Sequence, residues 1–388
     1  MTSRTRFYVL IASIPLVAFA IIGGLLGKVA AREDSYQHLR VFEDVRQLVL
    51  SNYVEEVDFD IVMDGAMRGL AEGLDPDSAF LTPEQAGLVD KGALAAAGDT
   101  GIELTRQYYL RVIAARDGSP AARGGLRTGD YIRGIDGKPT RDMSVFEGAR
   151  LLRGPVGTKV ALTVLRGSAA EPHEVVLVRE PLAPVQVSSR ALADGIGYVR
   201  IATFGAGTVA EVRGVIADFE RAGATRLIID LRGTAQGSVE AALATARLFV
   251  ASGVLAKRES RGTTLDTTTA HAGDGAVKLP ITLLTTAGTS GPAEVFAAAL
   301  TGNARAEIVG ERTLGRAAEQ RLVRLPDGSG LWMTWTRYLT PAGKPIHGAG
   351  LDPDEAIDEP DVEFGAPPPS ADPILDKAIE RAAAKKAA

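Results

Sequence analysis

TTAGTSGPAEVFAAALTGNARAEIVGERTLGRAAEQ, residues 285–320, decides how the chain is read. The apolar, β-branched run over 279–286 that leads into it predicts a strand. Gly288-Thr-Ser-Gly-Pro292 is a turn of small residues, and 293–301 predicts a helix anchored by Phe296 and Leu300. Residues 306–310 predict a second strand, running into a loop that contains Gly310 and Gly315. A strand that breaks sharply into a helix can present a nucleophile at the turn. The helix N-terminal amides then lie where they could hold an oxyanion.

Those residues resemble the active-site segment of the carboxy-terminal processing, or tail-specific, serine peptidases. That family reads N-x-G-S-A-S-A-S-E, followed by G-x-x-T-F-G-K-G-x-x-Q. Glu294 and Gln320 fix the register without gaps. In that register the nucleophile position holds Gly291 and the general-base position holds Arg316; Gln320, which helps to position the base in the family, is retained.

The departure matters because a Ser/Lys dyad needs a lysine neutral enough to take the serine proton. Arginine stays charged, with a pKa above about 12, and glycine carries no nucleophile. Ser290 adjoins the slot and is the candidate substitute, although at a turn one residue swings a side chain elsewhere. Lys344 is the candidate substitute base, at a position that is structural in relatives.

Outward from this segment, residues 195–204 and 225–232 read as strands and 208–222 and 239–250 as helices. Strand–helix alternation of this kind builds an α/β layer structure. The run 182–358 resembles the family core, so the resemblance implies the fold shared with the Clp protease and crotonase groups. Asp230-Leu-Arg-Gly-Thr-Ala-Gln-Gly237 matches the family's oxyanion segment D-L-R-x-N-P-G-G, but Gln236 stands where the first glycine supplies an amide. A side chain there is expected to strain a backbone that needs positive φ.

Residues 91–181 alternate short strand-like runs with glycine turns. Ser119-Pro-Ala-Ala-Arg-Gly-Gly-Leu-Arg-Thr-Gly-Asp130 resembles a PDZ domain, a mostly β module that binds an extended C-terminal peptide as an added strand. By that resemblance Gly101-Ile102-Glu103-Leu104 is the carboxylate-binding loop, and Arg153 couples the module to the core. Glu103 stands where the family often has glycine, and its charge would repel a carboxylate if it points inward.

Residues 34–90 resemble the family's helical arm, which helps to pair subunits in relatives; a helical hairpin packed on its own core is the other reading, so homo- or hetero-oligomers stay open. Residues 359–371 are a Pro-rich acidic linker, and 372–388 predict a terminal helix. At the other end, residues 7–27 form an uncharged apolar run behind Arg4 and Arg6 and ahead of Lys28 and Arg32. Residues 1–33 therefore read as a single membrane anchor, with a signal peptide cleaved after Ala18-Phe-Ala20 as the rival. The resemblance implies an inner-membrane protein whose bulk is periplasmic.

The chain has 388 residues, 46% hydrophobic and 23% charged, as expected of a globular protein with more than one domain. A net charge of −5 argues against a nucleic-acid partner, and the absence of cysteine excludes disulfides and thiolate metal sites. His38, His173, His271 and His347 show no ligand spacing, so neither metal nor cofactor is expected. Nucleophile, base and oxyanion loop depart together. The reading is a pseudo-peptidase that binds protein C-terminal peptides or a partner protein. The alternative is an active C-terminal peptidase with a modified dyad. Crotonase-like acyl chemistry has no supporting motif.

Overall fold

The computed structural model describes residues 37–91, 97–167, 171–182, 187–367 and 369–384. The apolar run over 7–27, with its reading as an anchor or signal peptide, lies outside these residues. Among the described residues no helix is long and apolar enough to cross a membrane.

The described residues up to Met67 form one unit and those from Arg68 a second. The first holds helix α1 (37–52) and the start of α2 (Phe59–Glu72). Leu39, Val45, Leu48 and Ile61 are exposed on it.

Past α2 the helical arm turns into a strand. Asp75 accepts the amides of Asp77 and Ser78, which closes a turn. β1 (Ala79–Leu81) follows, paired with a strand from the far end of the chain, and then α3 (Pro83–Asp90), capped by Thr82.

The PDZ-like module is a sheet of β2 (Ile102–Gln107), β3 (Tyr109–Ala115), β4 (Tyr131–Ile135), β6 (Lys159–Leu165) and β7 (His173–Val178) in that order, with the short β5 (Lys138–Pro139) paired to β4. Between β3 and β4 runs α4 (Pro120–Arg123), and before β6 comes α5 (Val145–Leu152). Leu104, Leu110, Ile132, Leu152 and Leu162 are buried in its core.

The remaining chain forms two sheets. One runs β17-β14-β13-β10-β9-β8, from β8 (Val187–Leu192), β9 (Ile196–Ile201), β10 (Arg226–Asp230), β13 (Ile281–Thr285), β14 (Ala306–Gly310) and β17 (Glu355–Ala356); all neighbours are parallel except the edge pair β8–β9. Both faces are covered, which explains why β10 and β13 read as near-continuous apolar runs. Leu227, Ile229 and Leu283 pack with α6 (Thr208–Arg221), α7 (Val239–Ala246) and α8 (Pro292–Gly302). Their alternates Ile228 and Leu284 pack against Ile374 and Ala378 of α9 (Pro373–Ala384). The second sheet runs β1-β16-β11-β12, with β15 also on β16, from β11 (Val254–Ser260), β12 (Thr263–Thr269), β15 (Ala318–Arg324) and β16 (Gly330–Leu339).

Candidate active site

The break between β13 and α8 puts Gly291 at the helix N-cap with φ 58° and ψ −119°. This backbone conformation is strained for any side chain and is the kind of turn that displays a nucleophile. A Cβ built there would meet nothing nearer than 3.8 Å. The slot is therefore shaped and open, but empty of a hydroxyl.

Glu294, one turn into α8, is fully buried and ties the site together. Its Oε2 accepts the Gly291 amide at 3.0 Å and the Arg316 amide at 2.7 Å; its Oε1 accepts the Gly315 amide and the Thr313 hydroxyl. Burial pushes its carboxyl up, and those donors pull against the shift without cancelling it.

Arg316 fills the base slot as a locked cation. Its Nε donates to Asp77 at 2.7 Å and its Nη1 to Glu103 at 2.9 Å. Burial pulls the guanidinium down, and the charges of Asp77 and Glu103 more than offset it, so it titrates above its ordinary value. No proton acceptor is available in this position.

Gln236 closes the group. Its Nε2 donates to Glu103 at 3.5 Å. The strain expected at this residue is absent: the positive φ belongs to Gly237 at 121°, where a Cβ would fall 2.2 Å from the Phe204 carbonyl oxygen. The residues that depart from the family pattern in the base, oxyanion and carboxylate-loop positions thus meet in one polar network centred on Glu103.

Ile102, Glu103, Leu104, Arg153, Arg316 and Gln320 all line one cavity of about 110 Å³. Apolar walls come from Val145 and Phe146 of α5 and from Trp332 of β16, so the groove of the PDZ-like module is bridged by the core. Gly101 lies outside this cavity; its amide is given to Asp99 at 2.9 Å, and Asp99 also holds Arg153. Ser290 is 1% exposed, is not among the residues lining the cavity, and donates its amide to the Thr234 carbonyl. Lys344 belongs to the turn after β16, where its amide is held by Thr340.

Sequence reasoning missed Asp77 and the clamp role of Glu294. The first lay within residues 34–90, which were matched only as a helical arm. The second was used only to set the register, although a residue that aligns two motifs is a natural candidate to join them. A wider cleft of about 510 Å³, lined by Tyr198, Arg200, Asp230 and Arg232, holds neither slot. Among the described residues no cluster suited to a metal ion occurs.

Comparison with known proteins finds relatives of both the core and the PDZ-like module. The profile of Peptidase family S41 matches residues 195–357, and that of the PDZ domain matches residues 111–166. A carboxyl-terminal-processing protease of Synechocystis sp. is 33% identical over 297 residues, 75% of this chain and 69% of that protein. A carboxy-terminal-processing protease of Bartonella bacilliformis is 29% identical, over 84% of this chain and 77% of its own. Among solved structures, the photosystem II D1 C-terminal processing protease superposes with a TM-score of 0.69 at 29% identity, covering 81% of this chain and 86% of that one.

Proposed function

The chain belongs to the carboxy-terminal processing peptidases of family S41, and on that premise we propose that it is a non-catalytic member that binds protein C-terminal peptides. The observation that carries the reading is Arg316 in the base slot, paired with Asp77 and Glu103, opposite a glycine in the nucleophile slot. A proton-transfer dyad needs a group that can be neutral near working pH. A guanidinium between two carboxylates is held in the opposite state. Glycine also relieves the strain that a nucleophile would carry at φ 58°. Once hydrolysis is given up, nothing favours keeping that strain.

The apolar run over 7–27 supports a single-pass anchor, with the PDZ-like module and core on the periplasmic side. In this reading the protein holds a peptide or a partner at the membrane rather than cutting it.

The test is direct. The purified full-length chain is incubated with an unstructured protein ending in apolar residues, beside a Gly291→Ser, Arg316→Lys variant, and the products are read by mass spectrometry. The natural chain is expected to leave the substrate intact. Turnover by the natural chain that disappears in Ser290→Ala would sink the proposal and install Ser290 as nucleophile.

A further inference from the structure

The cavity that joins the PDZ-like groove to the base slot has an unusual balance of polar groups. Beside the Asp99–Arg153 pair, two carboxylates, Asp77 and Glu103, face one guanidinium, Arg316. Asp77 is 6% exposed, and its Oδ1 meets no donor among the described residues. Arg316 uses Nε and Nη1 for these partners, and no partner for Nη2 occurs among the described residues. A buried carboxylate oxygen without a donor is costly. The cavity thus offers an acceptor that wants an N–H and a guanidinium edge that can take an anion.

We propose that Arg316 has become the receptor for a ligand's α-carboxylate, and that Glu103 is its built-in competitor. This rests on the non-catalytic reading above and names the ligand chemistry of the same site. The first amide of the usual receptor loop is preoccupied, because Gly101 already donates it to Asp99. A third anion cannot join Arg316 while Glu103 stays, since the guanidinium would then face three negative charges. It can replace Glu103 with no change in charge, and a guanidinium binds a carboxylate bidentately. The residue's own N–H then lies on the side of Asp77. Ile102, Leu104, Phe146 and Trp332 leave room for one apolar side chain in about 110 Å³. The chemistry required is an α-carboxylate with a neighbouring N–H and an apolar side chain, available from a peptide C-terminus or from a free amino acid. The cavity is itself walled by β2 and α5, the kind of strand and helix pair between which an added strand is seated, which assigns it to the peptide.

Displacement of Glu103 also removes the bond between the PDZ-like module and the base slot. Ligand binding and loss of this one link are therefore a single event in this scheme, while Arg200 still holds Asp117 and Phe146 still packs on Trp332.

The test uses the full-length chain and an N-terminally labelled octapeptide ending in Leu-Val-Val, with a free or an amidated C-terminus, read by fluorescence anisotropy. The free acid should bind about tenfold or more tighter than the amide, which loses the charge-assisted contact. Glu103→Gln should tighten binding of the free acid by about tenfold, because its competitor is gone, and leave the amide nearly unchanged. Arg316→Gln should remove the preference for the acid. Because that variant leaves Asp77 unpaired and could fail to fold, Glu103→Gln is the deciding arm. Equal binding of acid and amide, weaker binding by Glu103→Gln, or no binding of either peptide by that variant overturns the proposal. Displacement of the peptide by equimolar free leucine would reassign the site to an amino acid and also overturn it. Mass spectrometry of the same mixtures keeps the two readings apart: a shortened peptide sinks the non-catalytic reading, whereas intact peptide without a carboxylate preference sinks only the role of Arg316.

Discussion

Glu294 holds the Gly291 amide 3.0 Å from its Oε2, and the same oxygen accepts the amide of Arg316 at 2.7 Å. One buried carboxylate thus sets the distance between the nucleophile slot and the base slot, whatever side chains occupy them. The architecture of the site outlasts its chemistry for that reason. Glu294→Gln should be costly, because an amide group offers one acceptor oxygen and turns N–H donors toward other donors. Each orphaned buried donor costs about 1–3 kcal/mol, so the loss should be about 3 kcal/mol or more, read as a lower urea midpoint at unchanged slope.

Restoring the dyad tests both slots. Gly291→Ser meets no clash, since the added Cβ has 3.8 Å of clearance. Its cost is backbone strain of about 1–3 kcal/mol. Arg316→Lys places an ammonium between Asp77 and Glu103, whose charges favour the protonated form and raise the lysine pKa. The neutral base is then scarce at neutral pH. Any peptidase activity of the double variant should rise about tenfold per pH unit below that pKa. Adding Glu103→Gly should shift the pH–rate curve to lower pH. An unshifted curve would show that Glu103 does not govern the slot.

Much of this was legible in the residues. The β13–α8 turn and the alternation of strands and helices followed from apolar runs interrupted by glycine; β13 and α8 fall within two residues of where they were expected, whereas the helix expected over 239–250 ends at Ala246 and the strand expected over 195–204 ends at Ile201. The hairpin β11–β12 was not read, because β12 is an exposed Thr-rich strand without apolar alternation. Its turn is Arg261-Gly262, both at positive φ, rather than an Asn-Gly pair. β1 hid within an arm expected to be helical, since three residues are too few for a periodic signal. Glu103 was singled out as a charge that could oppose a carboxylate. Its pairing with Arg316 lies 213 positions away in sequence, and no local pattern reports such a distance.

Gly148 on α5 sets two effects against each other. Alanine is a better helix former by about 1 kcal/mol. A Cβ at this residue would fall 2.3 Å from Leu110 Cδ1 and 3.1 Å from Leu104 Cδ1, however, in the core of the PDZ-like module. Overpacking costs about 1–3 kcal/mol, so packing should win and Gly148→Ala should lower the melting temperature. Leu104 also walls the ligand cavity. The same variant should therefore weaken peptide binding even where it stays folded, which anisotropy below its melting point would reveal.

Asp230 gives the core its acid limb. It is buried at the end of β10, where Tyr198 donates to it at 2.6 Å and Arg232 grips it, with Arg200 beside it. Burial pushes its carboxyl up, but the Arg200 charge and the bonds from Arg232 and Tyr198 outweigh burial, so it titrates below the ordinary value. A carboxyl whose pKa is lower in the folded than in the unfolded chain adds stability above the unfolded value, near about pH 4. That stability is lost as pH falls through the folded value. Asp230→Asn removes the charge that holds those guanidinium groups and should cost about 3–5 kcal/mol at neutral pH. It has nothing to protonate at this position, so its stability should fall less steeply than the natural chain's below about pH 4. Denaturation curves at several acid pH values measure both slopes; parallel curves would mean that Asp230 is no more acidic in the folded chain than in the unfolded one.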